Sequence, residues 1–267
     1  MKSCYLFLLI GVTLLSPCLV PYSLGQILNI ERFRIEKDTS NYWTGNVGLG
    51  FSTKKQQNQV TTLNFNSNVV YLSHKHGYLN INYGKLIKTT QEQVISEGYT
   101  HWRVNLFRTH RLSYEPFLQL QYDIGRGLEI RELYGASLRF RLISTPKFAF
   151  SINSGGMYEH ERWKGDVLRF ESASDSTEAE TRFIKNTTNV SFRGEIAKNV
   201  HAFMVTYYQA RFTRFFKPRI ISDFNLMITL NKYFSLNNQF IATYDALPLI
   251  TGNQFVYTYN MTVVLKF

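Results

Sequence analysis

Residues 254–267, QFVYTYNMTVVLKF, decide the fold class, because apolar and polar side chains alternate along their whole length. One set is apolar or aromatic: Phe255, Tyr257, Tyr259, Met261, Val263, Leu265 and Phe267. The other set is mostly polar or small: Val256, Thr258, Asn260, Thr262, Val264 and Lys266. A period of two indicates a β-strand whose two faces meet different surroundings. Aromatic residues near both ends are typical of a strand with lipid on one side and a lumen on the other.

The same alternation recurs along the chain and predicts about twelve strands. Residues 62–71 alternate in this way, and their polar positions include three asparagines: Asn64, Asn66 and Asn68. Asparagine is unfavourable in the strands of soluble sheets, so this set indicates a wet interior. Residues 79–83 follow the same pattern, with Asn80 and Asn82 as the polar set. We therefore expect apolar faces to point outward and polar faces to point inward.

The connections between the predicted strands alternate in length. The shorter ones are 73–77, 109–111, 144–146, 198–199 and 231–234, and the longer ones are 54–58, 89–97, 162–186, 214–219 and 247–253. Only the tight turn at 125–127 departs from this order. Short turns on one side and long loops on the other predict an all-β, up-and-down antiparallel transmembrane β-barrel over residues 43–267. In lipid all backbone groups must be paired, so the last strand should close on the first, at 43–52.

The first residues have the features of a secretory leader. A positive start is followed by an apolar stretch and then by small residues before Gln26, which predicts a signal peptide over 1–25. An uncleaved anchor and a lipoprotein attached at Cys18 are the alternatives. Residues 26–42 are polar and are expected to form a periplasmic lead-in. Both cysteines, Cys4 and Cys18, lie in the leader, which excludes disulfides, thiolate metal sites and a cysteine nucleophile in the mature chain.

The formal net charge of +11 invites a nucleic-acid partner, but Lys and Arg are scattered singly along the chain. We instead expect a basic barrel lying against outer-membrane lipid and lipopolysaccharide, in the bacterial outer membrane. Nothing in the sequence predicts a cofactor or a metal. The barrel-assembly machinery and a small solute are the remaining expected partners.

Alternation places a charged and polar set on the inner face of the predicted barrel. These candidates are Arg103, Gln119, Gln121, Asp123, Arg131, Arg139, Arg141, Glu159, Glu161, Arg193 and Glu195. One interpretation is a bracing network of arginines paired with carboxylates, since side chains this long can fill a narrow lumen. The other is a small pore in which the basic excess favours anions. Both give an integral barrel of structural or small-solute pore type.

A catalytic function would need a nucleophile with a base within hydrogen-bonding reach. His101 falls on the inner face without a serine in register, and His160 lies near the rim between Glu159 and Glu161 with Ser154 far along the strand. The sequence therefore predicts no enzyme. An outer-membrane enzyme acting on lipid or lipopolysaccharide, and a soluble periplasmic lipid-binding barrel, stay as alternatives; the latter predicts that the apolar faces point inward.

Four segments carry a resemblance to a known family: 43–49 (WTGNVGL), 97–103 (EGYTHWR), 114–123 (YEPFLQLQYD) and 131–139 (RELYGASLR). Together with residues 159–163, they resemble the YdiY-like salt-induced outer-membrane proteins, barrels whose function is not established. The resemblance implies a fold and a location and carries no catalytic residues. The context before Gln26 resembles exported proteins of the Bacteroidetes. The closing strand resembles the C-terminal strand of bacterial outer-membrane barrels, which implies that Phe267 is part of an assembly signal.

Overall fold

A computed structural model describes residues 41–55, 58–90, 93–145, 147–164, 178–248 and 254–265. The predicted leader, almost all of the predicted lead-in and Phe267 lie outside these residues. The described residues form twelve strands: β1 (Tyr42–Lys55), β2 (Gln59–Leu72), β3 (Gly77–Thr89), β4 (Gln93–Asn105), β5 (Leu112–Asp123), β6 (Leu128–Ser144), β7 (Phe148–Lys164), β8 (Glu178–Ala197), β9 (Val200–Arg211), β10 (Arg219–Thr229), β11 (Phe234–Asp245) and β12 (Phe255–Leu265).

The strands form a single twelve-stranded sheet in sequence order, and each strand pairs antiparallel with the next. This confirms the predicted all-β, up-and-down architecture and its strand number. Two short 3₁₀ turns, Ile124–Arg126 and Phe212–Arg214, join β5 to β6 and β9 to β10. The first ends on Gly127, whose φ of 79° lies in the left-handed region that glycine adopts without a Cβ clash.

Five connections are short and lie together at one end of the sheet, which we call the short-turn end. They are residues 73–76, 106–111, 145–147, 198–199 and 230–233. Side-chain oxygens close several of them: the Thr145 hydroxyl accepts from the Phe148 N–H at 2.9 Å, and the Asn231 carbonyl oxygen accepts from the Phe234 N–H at 2.9 Å. The opposite end, where the other connections lie, is called the long-loop end.

Strands β6, β7 and β8 are the longest, with 17, 17 and 20 residues. At about 3.3 Å per residue they far exceed the 9–11 residues that a membrane span requires. The predicted loop 162–186 is therefore wrong at both ends. The strands continue to Lys164 and resume at Glu178, because residues 178–185 pair with 157–164 in an unbroken ladder.

The two faces of the sheet have opposite character. The outer face is apolar and exposed, and Leu49 reaches 79% exposure. Other exposed members of this face are Trp43, Phe51, Trp102, Tyr134, Leu138, Phe140, Tyr257, Tyr259 and Met261. The inner face is buried and largely polar or charged, with Arg131, His101 and Gln119 among its fully enclosed side chains. An apolar outside around a polar inside is the reverse of a water-soluble protein.

Strand β3 corrects the expected facing. Asn80 pairs with the exposed Trp102 and therefore lies on the outer face, while Ile81 pairs with His101 and is 2% exposed on the inner face. The outer asparagines satisfy each other, since Asn82 Nδ2 donates to Asn80 Oδ1 at 2.6 Å. The Thr100 hydroxyl also donates to Asn82 at 2.6 Å. The register with β4 thus overrides the local polar pattern.

The two terminal strands of the sheet form a seam. Within the described parts of both strands, no ladder joins β1 to β12. Their side chains are accordingly the most exposed of the sheet, on both faces of β1 and along β12. The predicted pairing of the last strand with 43–52 is therefore not observed in this conformation. The enclosure of the inner face comes instead from the curvature of β4–β10.

Candidate functional site

The middle of the inner face is occupied by buried ion pairs, which we call the central network. Arg131 on β6 donates from Nη2 to Glu159 at 2.6 Å, and its Nε lies 3.0 Å from Glu161. All three side chains are 1% exposed. The Lys185 ammonium also contacts Glu159, and the Trp163 indole donates to Glu161 at 2.9 Å. Two carboxylates are thus neutralised by two cations within one buried cluster.

A second buried pair joins β4 to β5. Arg103 Nη1 lies 3.2 Å from Glu115 Oε2, and the Arg103 guanidinium sits 4.9 Å from the centre of the Phe117 ring. Asn153 on β7 donates to the same Glu115 oxygen at 3.3 Å. This bond crosses over β6, which places strands β5 and β7 within side-chain reach of each other. The sheet is therefore tightly curved at this level.

Neutral side chains continue the network along β5. His101 Nδ1 lies 3.0 Å from Gln119 Oε1, and Gln119 donates to Gln121 at 3.2 Å. Asp123, at the end of the strand, accepts from the Arg126 N–H at 3.2 Å and so caps the turn into β6. Glutamine amides both donate and accept, so they can link groups that cannot pair directly.

The remaining predicted arginines take different positions. Arg139 is buried on the inner face, while Arg141 is half-buried and donates from Nη2 to the Arg108 carbonyl in the β4–β5 turn. Arg193 and Glu195 lie near the short-turn end, away from the central network. The sequence candidates therefore form two groups rather than one ring around the lumen.

Sequence reasoning missed three central members. Glu115 is separated from Gln119 and Gln121 by an even number of residues along β5, so the alternation of the strand could have placed it on the same inner face. Lys185 fell in the predicted loop 162–186 and could be recognised only once β8 was known to begin at Glu178. Arg219 pairs with Asp245 at 2.7 Å across the β10–β11 hairpin, at the edge of a predicted loop.

Little space is left among these side chains. A cavity of about 10 Å³ lies between strands β4 and β9, about the volume that holds one water. It is lined by His101, Arg103, Phe117, Gln119, Leu133, Ser137, Asn153, Thr187, Asn189 and Tyr207. Beside it, Met157, Val205, Tyr207 and Ile221 pack as an apolar cluster against Phe117 and Phe203. Side chains thus fill the interior at mid-height.

A much larger cavity, the short-turn cavity, lies at the short-turn end of β8–β12 beside Lys147 of the β6–β7 turn, and measures about 640 Å³. Its lining combines cations, amides and apolar groups, among them Lys147, Arg193, Phe203, Asn225, Met227 and Asn237. The Arg193 guanidinium lies 5.8 Å from the centre of the Phe203 ring. Glu195 is the acidic member of the lining, and it lies 4.0 Å from the Lys147 ammonium.

His160, near the long-loop end of β7, has a carboxylate beside each of its two ring nitrogens. His160 Nδ1 lies 2.9 Å from Glu132, and Nε2 lies 2.6 Å from Glu180. These side chains lie beyond the outer-face row of Tyr134 and Tyr158, outside the part of the strands that a membrane would cover. The hydrogen bond to Glu132 and the contact with Glu180 raise the pKa of His160. Two carboxylate partners require a proton on each ring nitrogen, so the bridge is a feature of the imidazolium.

These contacts bear on the two alternative functions. In the enzyme alternative His160 would activate a serine, but it is held between two glutamates, and the Ser154 hydroxyl bonds to Thr188 at 2.8 Å. The soluble lipid-binding alternative requires apolar residues inside, whereas Leu49, Leu138 and their neighbours are exposed on the outer face. Neither alternative has support in this geometry.

Two kinds of feature are absent from the residues that the structure describes. No helix among them is long and apolar enough to cross a membrane. No group of three or more His, Cys, Asp or Glu side chains in that part of the chain is placed to hold a metal ion.

Comparison with known proteins gives one structural relative and one family. A solved structure described as the NanC porin in a rhombohedral crystal form is 10% identical, with a TM-score of 0.42, and the alignment covers 84% of this chain and 100% of that chain. No curated protein sequence matches the chain.

The family model described as "Protein of unknown function, DUF481" matches residues 39–267. This is the family of the YdiY-like proteins, and the match extends well past residues 43–163, on which the sequence resemblance rested. Induction by salt and a Bacteroidetes origin stay predictions. The chain belongs to the DUF481 family of proteins of unknown function.

Proposed function

We propose that this chain is an integral outer-membrane β-barrel whose interior is braced by its own charged side chains and does not conduct solutes in this conformation. The observation that carries the proposal is Arg131, held between Glu159 and Glu161 with all three side chains 1% exposed. Charges that line a conducting path stay in water. Charges withdrawn from water need partners, and here each has one.

The outer face supports placement in a membrane. It carries a broad apolar and aromatic surface that would be costly to leave in water, interrupted by polar residues such as Asn80 and Asn82 on β3. Outer-membrane lipid and lipopolysaccharide are the partners that such a surface fits. In this placement the short-turn end lies in the periplasm and the long-loop end lies outside the cell, as in other up-and-down barrels.

A small-solute pore is the second candidate, and the short-turn cavity is the observation that favours it. This cavity of about 640 Å³ could form the inner half of a path. Conduction would then require the central network to part, since it fills the interior above the cavity. The predicted anion preference would come from Arg139 and Arg141 if they lined that path.

Planar-bilayer recording of the refolded protein tests the two candidates. Insertion is established first, by heat-modifiable gel migration and by co-sedimentation with lipid. The braced barrel predicts silent membranes after proven insertion. It also predicts that Arg139→Ala and Arg141→Ala lower stability without creating an ion preference. Steady anion-selective conductance of the wild-type protein, lost in these variants, would overturn bracing in favour of the pore.

A further inference from the structure

We propose that the short-turn cavity is a binding site for a small organic anion that carries an apolar part. This inference goes beyond the braced barrel and does not depend on conduction, because the lining lies at the short-turn end and a ligand from that side need not cross the central network. Its support comes from the size of the cavity, its lining and the charges around it.

The size and the lining suit a small molecule. A volume of about 640 Å³ falls in the range of roughly 300–1,000 Å³ that small-molecule sites occupy. Phe203 and Met227 supply apolar surface, while Asn225 and Asn237 supply amide groups that fix orientation. A few polar groups set in an apolar wall are the usual composition of such sites.

The charges of the lining select an anion. Lys147 and Arg193 face the cavity, against the single carboxylate of Glu195 among its lining residues. That carboxylate is 4.0 Å from a Lys147 side chain that is 71% exposed, a loose contact that an incoming anion can share. Arg193 also lies against the Phe203 ring, so one guanidinium adjoins both the polar and the apolar parts of the site.

The turns around this end strengthen the selection. All five short turns carry Lys or Arg, and none contains Asp or Glu. Exposed members are Lys75, Arg111, Lys147, Lys198 and Lys232. Charges of one sign around a low-dielectric opening concentrate counter-ions and speed their approach. An anion that reaches this end is therefore drawn toward the cavity rather than repelled.

Hexyl phosphate, which joins an anion to a short apolar chain, is a suitable probe. Its binding to the protein in phosphatidylcholine nanodiscs is measured by titration calorimetry, with empty nanodiscs as the blank and with inorganic phosphate and 1-hexanol as half-probes. Hexyl phosphate is expected to bind at least tenfold more tightly than either. Arg193→Gln should weaken it by about tenfold, the scale of one charge-assisted hydrogen bond. Phe203→Ala should weaken hexyl phosphate while leaving inorganic phosphate unchanged.

Lys75→Gln is the matched control, because Lys75 is a basic turn residue that does not line the cavity. Equal loss of binding in Lys75→Gln and Lys147→Gln would overturn the site in favour of a diffuse basic rim. Equal binding of inorganic phosphate and hexyl phosphate would overturn it as well. Displacement of the probe by phosphatidylglycerol in the nanodisc would identify a lipid headgroup as the source of the anion, and the absence of displacement would identify a free solute. Bilayer silence has no bearing on these readouts.

Discussion

Arg131 Nη2 lies 2.6 Å from Glu159 Oε2, and the two residues belong to adjacent strands of one hairpin. The pair is withdrawn from solvent, and Glu161 and Lys185 extend it on either side. A buried pair of this kind adds little net stability compared with apolar residues. Removing one partner is nevertheless strongly destabilising, because the other charge is then buried without a counter-charge. The loss of unfolding free energy when one partner is removed can therefore be used to test the central network.

Arg131→Ala should destabilise the folded barrel by about 3–5 kcal/mol, since it leaves Glu161 without its buried cation. The free energy of unfolding can be measured by urea titration in lipid vesicles. Arg162→Ala is the matched control: in its pair with Glu129 at 2.8 Å the Arg162 side chain is 48% exposed, so the pair should contribute less than about 1 kcal/mol. Similar losses in the two variants would contradict the assignment of Arg131 to a buried network.

Membrane insertion is expected to close the seam between β1 and β12. Unpaired backbone groups along both edges would be too costly in hydrocarbon. The chain has cysteine only at positions 4 and 18, inside the predicted leader, so introduced pairs can be read without interference. Cysteines at the inner-face positions Gly48 and Asn260 or Thr262 should form disulfides in vesicles, within the Cβ separation of about 3.5–4.5 Å that such a bond requires.

The matched control for the seam uses opposite faces. Val47→Cys points outward and should not cross-link with the same β12 cysteines, because neighbouring strand residues point to opposite sides. A cysteine pair at Asn46 and Asn68, which are paired in β1 and β2, shows that the reaction works. Failure of every β1–β12 inner-face pair in vesicles, with this positive control intact, would mean that the barrel keeps an open seam.

The bridge from Glu132 through His160 to Glu180 predicts that the stability of the long-loop ends of β7 and β8 depends on pH. Since its carboxylate partners raise the pKa of His160, the bridge contributes fully below the ordinary value of about 6.5. It is lost as the pH rises through the raised folded-state value. Amide hydrogen exchange of residues 180–184, corrected for intrinsic rates, should therefore quicken at alkaline pH. His160→Asn should abolish that step, and an identical profile in both proteins would contradict the bridge.

Phe267 tests the predicted assembly signal. Deleting it should lower the fraction of protein inserted by the assembly machinery, scored by heat-modifiable migration in the membrane fraction. Phe255→Ala, at the first residue of β12, removes a comparable aromatic ring and should insert normally. Normal insertion of the protein that lacks Phe267 would contradict the prediction that this residue is part of an assembly signal.

The sequence was sufficient for the architecture because each strand repeats one pattern. Alternation at Phe255–Leu265 and its counterparts gave the number of strands, and the lengths of the connections gave the order. Strand β3 shows the limit of this reasoning. Asn80 and Asn82 read as interior residues, but pairing partners on β4 decide which way a strand faces, and those partners are distant in sequence.

The candidate site was only partly predictable for a similar reason. The alternation of side chains along the strands identified Arg131, Glu159 and Glu161 as inner-face residues. It could not predict which of these charges form ion pairs. That outcome depends on the curvature that brings β5 within reach of β7, as in the bond from Asn153 to Glu115. The short-turn cavity is lined by residues of five strands, β8 to β12, and leaves no trace in any single stretch of sequence.

Three of the ion pairs lie within hairpins that a short turn closes: Arg103 with Glu115, Arg131 with Glu159, and Arg219 with Asp245. A membrane protein that inserts hairpin by hairpin can therefore carry each of these charges across the lipid boundary already neutralised. The order of insertion then matters less electrostatically, and the exception is the β6–β7 hairpin, whose second carboxylate is balanced by Lys185 of the next hairpin. The brace of the finished barrel is, on this view, also a device that lowers the barrier to its assembly.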